Sequence, residues 1–201
     1  MKIGIFGGSF NPIHLGHLIA AKEILRKKIV DEIWFMPCYW HALKKRKNFA
    51  SVEDRMKMVV LAIKGMQNCI ASPFEIELAE IDKKKNYTID TIKALKKSYP
   101  KFEFFFIIGE NILEELPKWK QINELIKEIK FIVYPMTSID IKKIKENFFI
   151  KKNNSIILSD CIITNISSSE IRKRIKNNES IDFLVPEKVK KYIERKKLYK
   201  K

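Results

Sequence analysis

The sequence is poor in cysteine, glycine and histidine and has no long apolar run, and each scarcity removes a class of protein. Its three cysteines, Cys38, Cys69 and Cys161, are far apart and form no Cys-x-x-Cys pair. Neither a disulfide framework nor a zinc knuckle nor a redox dithiol is therefore expected, and the three read as reduced thiols of a cytoplasmic protein. Apolar stretches such as Phe104 to Ile108 fall far short of the roughly 20 residues that a membrane-spanning helix needs, so no membrane partner is expected. The opening Met1-Lys2-Ile3-Gly4-Ile5-Phe6 has the pattern of a short strand rather than the charged head and long apolar segment of an export signal. Internal repeats and low-complexity linkers are also missing. The expectation is one domain over residues 1–201, with a C-terminal helical part from about residue 166 packed on it.

What is abundant is lysine and isoleucine. A hydrophobic content of 46% over 201 residues suffices for one sizeable core. The formal net charge of +16 would suit a polyanion. The lysines, however, are scattered among Glu and Asp while Arg is scarce, which reads as a codon bias rather than a binding stripe; nucleic acid is not the expected ligand. Homo-oligomerisation is left open.

Short apolar runs alternate with amphipathic stretches, the pattern of an α/β protein with a parallel sheet covered by helices. Strands are expected at Lys2 to Phe6, Glu32 to Met36, Ile70 to Ser72, Phe102 to Ile108, Phe131 to Tyr134 and Ser155 to Leu158. Helices are expected at His14 to Lys28, Val52 to Gln67, Ile89 to Ser98, Ile112 to Leu116, Asn123 to Glu128, Ser138 to Glu146, Ser168 to Asn177 and Pro186 to Lys196.

The first strand runs into Gly7-Gly8-Ser9-Phe10-Asn11-Pro12-Ile13-His14-Leu15-Gly16-His17, after which helical periodicity begins. Glycines at such a turn let backbone N–H groups approach an anion, and the helix start behind them adds a positive dipole end. That outlines a phosphate site, yet neither a Walker loop nor a Gly-x-Gly-x-x-Gly dinucleotide turn is present. His14 and His17, two of only three histidines, stand three residues apart on one face of the opening helical turn. A packing pair is the plain alternative, but the setting favours ligand donors. Metal ligation by the two lacks the further ligands that zinc would want, so no protein metal site is expected.

The 7–17 segment resembles the signature of the nucleotidyltransferase superfamily with a (His/Thr)-x-Gly-His motif. Further matches follow in order: Ser51-Val52-Glu53-Asp54-Arg55-Met56, Tyr87-Thr88-Ile89-Asp90-Thr91, Ile107-Ile108-Gly109 with Trp119 ten residues on, Ile166-Ser167-Ser168-Ser169-Glu170-Ile171-Arg172, and Leu184-Val185-Pro186-Glu187-Lys188-Val189 leading to Tyr192-Ile193 and Leu198-Tyr199. Together they resemble bacterial nicotinate mononucleotide adenylyltransferases over nearly the whole chain. The resemblance implies a Rossmann-like doubly wound sheet and transfer of AMP from ATP to nicotinate mononucleotide, releasing pyrophosphate, with Mg²⁺ held mainly by the ATP phosphates. It implies catalytic roles for His14, His17, Lys44 and Arg172. ATP contacts are implied for Gly7, Gly8, Ser9, Phe10, Gly16, Gly109, Asn111, Ile166, Ser167 and Ser168, and mononucleotide contacts for Tyr87, Thr88 and Trp119.

Several of these residues admit a second reading. Ser167 and Glu170 have capping-box spacing, which many helices use with nothing bound. Trp119 can stack on a pyridine ring or serve the core, and Thr88 can cap the helix that follows. Two departures from the family pattern stand out. Asn111 replaces an acid expected to meet the ATP sugar, and His41-Ala42-Leu43-Lys44-Lys45 replaces a Pro-Pro-His-Lys loop, leaving His41 to take over the missing histidine's place. Nicotinamide mononucleotide and phosphopantetheine are alternative acceptors, a cytidylyltransferase is an alternative activity, and a noncatalytic nucleic-acid binder is the rival from another class.

Overall fold

The computed structural model describes residues 1–39, 49–82, 86–136 and 141–200. Six strands, β1 (Lys2–Gly8), β2 (Glu32–Pro37), β3 (Cys69–Ala71), β4 (Glu103–Gly109), β5 (Lys130–Tyr134) and β6 (Ile156–Ile157), form one sheet in the order β3-β2-β1-β4-β5-β6. Every pairing is parallel, with Ile5 beside Trp34 on one flank and beside Phe106 on the other.

Strand side chains point alternately to the two faces, and the sequence supplies large apolar residues to both. Phe6, Ile33, Phe35, Phe105, Ile107 and Ile132 enter one buried cluster, which α1 (Leu15–Arg26), α2 (Val52–Ala62), α8 (Ser168–Lys176) and α9 (Glu187–Arg195) complete. Ile3, Ile5, Trp34, Met36, Phe104, Phe106, Phe131 and Val133 enter the other, beneath α4 (Thr88–Ser98), α5 (Ile122–Glu128) and α7 (Phe148–Asn153). α3 (Phe74–Asp82) follows β3, and α6 (Ile141–Glu146) precedes α7.

All six expected strands are present within two residues of their expected ends. Helices differ more. α2 stops at Ala62, where the Ile63 N–H closes on the Val59 carbonyl and a Gly65 at φ 89° turns the chain. In place of a helix over Ile112 to Leu116 there are two short 3₁₀ turns, Glu110–Ile112 and Leu116–Lys118, the second built around Pro117, which supplies no N–H for an α-helical bond. Helices α3 and α7 were not expected from sequence at all.

With β1 and β4 adjacent at the centre, their crossovers leave to opposite sides, and the crevice beyond their carboxyl ends is where open α/β sheets bind ligands. β1 ends in Gly7-Gly8 and β4 in Gly109. No helix among the described residues is long and apolar enough to cross a membrane.

Candidate active site

The turn after β1 is held in shape by residues distant in sequence. Buried Arg55 on α2 donates from Nη1 to the Ser9 carbonyl at 2.8 Å and from Nη2 to the Cys38 carbonyl at 2.7 Å. Phe10 takes a left-handed φ of 44°, costly for a non-glycine residue, and its fully buried ring wedges edge-on against Phe6 and His17. The Asn11 side-chain oxygen accepts from the Ala50 N–H and the Tyr199 hydroxyl, both at 2.9 Å. Arg55 and Tyr199 are points of family resemblance, but no local signal in the chain marks either as a support of this turn.

His14 occupies the cap position of α1 and His17 its third residue, and their rings lie against each other, tilted by 30° with centroids 3.7 Å apart. The His14 backbone N–H donates to Nδ1 of His17 at 3.2 Å. A neutral imidazole that accepts at Nδ1 carries its proton on Nε2, so His17 holds a ready N–H donor. Burial lowers the His14 pKa from 6.5 to about 3. Burial and then the neighbouring His14 also hold His17 below its ordinary value; its ring is only half-buried, and solvent at the open face moderates the effect. Both rings are neutral at pH 7. Nδ1 of His14 is buried and finds no hydrogen-bond partner among the described residues.

Gly16 lets this pair close up, since a Cβ there would stand 3.0 Å from His14 Nδ1 and 3.5 Å from the Ile166 carbonyl oxygen. A Cβ on Gly7 would strike the Phe106 ring at 2.8 Å, whereas at Gly8 it would meet only ordinary contacts with Phe10. The packing of the chain thus explains the first glycine but not the second, which is where an approaching ligand would need the room.

The distal serine-arginine segment lies directly on this turn. Ser167 caps α8 by accepting from the Glu170 N–H at 3.2 Å, while the Glu170 carboxylate turns to Arg174 at 3.0 Å. Ser168 Oγ donates to the Pro12 carbonyl at 2.8 Å, and Arg172 Nη1 donates to the Asn11 carbonyl at 2.7 Å. One of the five guanidinium N–H donors is spent there. Beside this junction a small open pocket of ≈ 10 Å³ is lined by His14, Gly16, Ala20, Glu23, Tyr134, Met136, Cys161, Thr164 and Ile166, among others. Of this lining, Tyr134, Met136, Cys161 and Thr164 belong to no motif, and only the strand order reveals them.

Across the sheet, Tyr87 caps α4 and Thr88 is its first helical residue, so the capping position expected of Thr88 belongs to Tyr87. Lys120 lies 4.5 Å above the Tyr87 ring and 3.2 Å from Asp90, which draws the segment after Trp119 to the start of α4. Trp119 is partly buried and stands edge-on to Phe106 at 6.0 Å, the same ring that Gly7 accommodates. The histidine turn and the tryptophan segment therefore share one boundary. Exposed Asn111 reaches back over β4, its Oδ1 within 2.5 Å of where a Gly109 Cβ would be. Lys44 and His41 lie outside the described residues. Among the described residues no three His, Cys, Asp or Glu side chains gather as a metal cage.

The cytidylyltransferase-like family model matches residues 5–174. A probable nicotinate-nucleotide adenylyltransferase of Bacillus licheniformis is 40% identical over 98% of both chains, and the nicotinate-nucleotide adenylyltransferase of Bacillus subtilis is 38% identical over the same shares. This chain belongs to the nicotinate-nucleotide adenylyltransferase family. A Plasmodium falciparum nicotinic acid mononucleotide adenylyltransferase complexed with NaAD superimposes with a TM-score of 0.80, covering 98% of this chain and 97% of its own at 24% identity, a likeness of fold. Within the family's frame the two ends of the matched region, the turn after β1 and α8, are the elements joined through Asn11 and Pro12.

Proposed function

We propose that the protein transfers AMP from ATP to nicotinate mononucleotide, giving the dinucleotide and pyrophosphate, as a cytoplasmic step of NAD biosynthesis. The observation that carries the reading is the pair of bonds from Arg172 to Asn11 and from Ser168 to Pro12, which sets an arginine fork and a helix start beside two neutral imidazoles. Residues 1–201 act as one unit in this reading, because the C-terminal helical part completes the phosphate site.

An oxygen of the mononucleotide phosphate attacks the α-phosphorus of ATP in line, the bond from that phosphorus to the bridging oxygen breaks, and pyrophosphate leaves with the electron pair. No protein nucleophile is needed, so the protein contributes positioning and charge stabilisation. Nε2–H of His17 donates to the α-phosphate oxygens, on which charge builds. His14 serves the triphosphate chain as a neutral imidazole. Arg172, Ser167, Ser168 and the start of α8 hold the β- and γ-phosphates, with Lys44 a further cation for them. The adenosine lies over the carboxyl ends of the central strands, with Gly109 and Asn111 near its sugar and Ile166 on its base. The pyridine ring lies on Trp119 beside Tyr87 and Thr88. Mg²⁺ enters as part of the MgATP substrate and neutralises phosphate charge.

The test supplies MgATP with nicotinate mononucleotide, nicotinamide mononucleotide or phosphopantetheine and follows pyrophosphate. Release is expected to be fastest with the nicotinate; release with phosphopantetheine alone rejects the acceptor, and salt-sensitive binding to nucleic acid without turnover favours the rival binder. In the same assay His17→Ala is expected to lose about 100- to 1,000-fold in kcat, the scale of a lost oxyanion donor, while keeping its fold. Unchanged turnover removes His17 from the chemistry.

A further inference from the structure

We propose that Tyr199 is a positioning residue for the ATP site: the segment after α9 is a strap that fixes the phosphate turn and, through it, Arg172. After α9 ends at Arg195, Lys197 and Tyr199 both take left-handed φ values, 52° and 66°, and Leu198 N–H closes on the Ile193 carbonyl at 3.0 Å. Two non-glycine residues in that region are an energetic cost, and such conformations persist where the surroundings over-determine them. Here they fold the chain back so that Leu198 and Tyr199 pack on the buried cluster. The Tyr199 hydroxyl then donates to Asn11 Oδ1 at 2.9 Å, 188 residues away in sequence. Asn11 is fully buried, its Oδ1 also takes the Ala50 N–H, and its carbonyl takes Arg172 at 2.7 Å. One asparagine thus ties the strap, the start of α2's approach and the phosphate arginine to a single point between Gly8 and His14. The nearby Tyr192 makes the contrast, since its hydroxyl donates to Asp54 at 2.7 Å and holds α9 to α2 without touching the turn.

The inference rests on the ATP-binding reading, and the experiment separates the two. Binding of a nonhydrolysable MgATP analogue to the unaltered full chain is measured first; no binding rejects the ATP site itself. Given binding, Tyr199→Phe is expected to weaken analogue affinity about three- to ten-fold, the scale of one net hydrogen bond, with the KM for the mononucleotide unchanged. Tyr192→Phe is expected to lower the Tm yet leave analogue affinity within about two-fold, a shift too small for a lost hydrogen bond of that scale. In an Arg172→Ala background the effect of Tyr199→Phe is expected to vanish, because the arginine is what the strap positions. Unchanged analogue affinity in Tyr199→Phe, an equal loss in the Arg172→Ala background, or a Tyr199→Phe chain that fails to fold where Tyr192→Phe folds would each overturn the positioning role.

Discussion

At the scale of single residues the site depends on keeping two histidines uncharged beside each other. An imidazolium at His14 would sit in a buried position with its ring against His17, and burial is what drives its pKa to about 3. The group's folded pKa lies below its unfolded value of 6.5, so the unfolded chain takes up the proton first as pH falls. Stability from this residue is complete above about pH 6.5 and is lost progressively toward pH 3, at up to about 1.4 kcal/mol per pH unit. Glu75 works the other way, since burial pushes its carboxyl up to about 8 and its contribution fades as pH rises. The informative quantity is therefore the difference between wild type and His14→Asn. Urea midpoints taken from pH 7 to pH 4.5 are expected to fall more steeply in wild type than in the variant. Parallel curves would show that His14 titrates normally. The two histidines were legible in the sequence because their residue type is rare there. Their neutrality was not, since it depends on Phe6, Phe10 and Ile166 arriving from the fold.

At the scale of elements, what the sequence concealed was structure built by single polar side chains. Strands were legible because six apolar runs alternate large residues onto both faces, and the helices with long amphipathic stretches were legible for the same kind of reason. Helix α7 gave no such signal: it has six residues, Phe-Phe-Ile-Lys-Lys-Asn, and begins on Asn147, whose side chain accepts from the Phe149 and Ile150 N–H groups. It ends on Asn153, a buried residue whose amide donates to the Ile126 and Ile129 carbonyls at 2.7 and 2.8 Å and whose oxygen accepts from the Phe131 N–H at 2.8 Å. One side chain joins α5, β5 and α7. Asn153→Ala would leave two buried carbonyls and one buried N–H unpaired, at about 1–3 kcal/mol each. A loss of at least about 3 kcal/mol in the urea unfolding free energy is expected, with KM for both substrates unchanged at 25 °C because the segment lies away from the phosphate turn. A destabilisation below about 1 kcal/mol would mean that other groups satisfy that backbone.

At the scale of the whole molecule, the sheet order explains why the two ends of the chain must meet. Motifs near residues 7–17 and 166–172 pointed to the family, but no pattern in the sequence says that Arg172 touches Asn11 across 161 residues. That contact follows from β1 lying at the centre of the sheet and from the crossovers that bring the chain back after β6. The cleft residues after β5 and β6 were hidden for the same reason. The junction also couples the two segments energetically. Because Ser168 and Arg172 are bonded to the carbonyls of Pro12 and Asn11, local opening of the turn breaks the contacts of α8 as well, and a ligand that bridges both opposes either opening. At 100 times its dissociation constant a nonhydrolysable MgATP analogue adds about 2.7 kcal/mol to the stability of whatever it holds closed. Amide hydrogen exchange is expected to slow on analogue binding in residues 8–17 and in 168–176 together, by comparable factors, while α5 exchanges as before. Protection confined to 8–17 would mean that α8 takes no part in holding the polyphosphate, and the joint grip of the two ends would have to be abandoned.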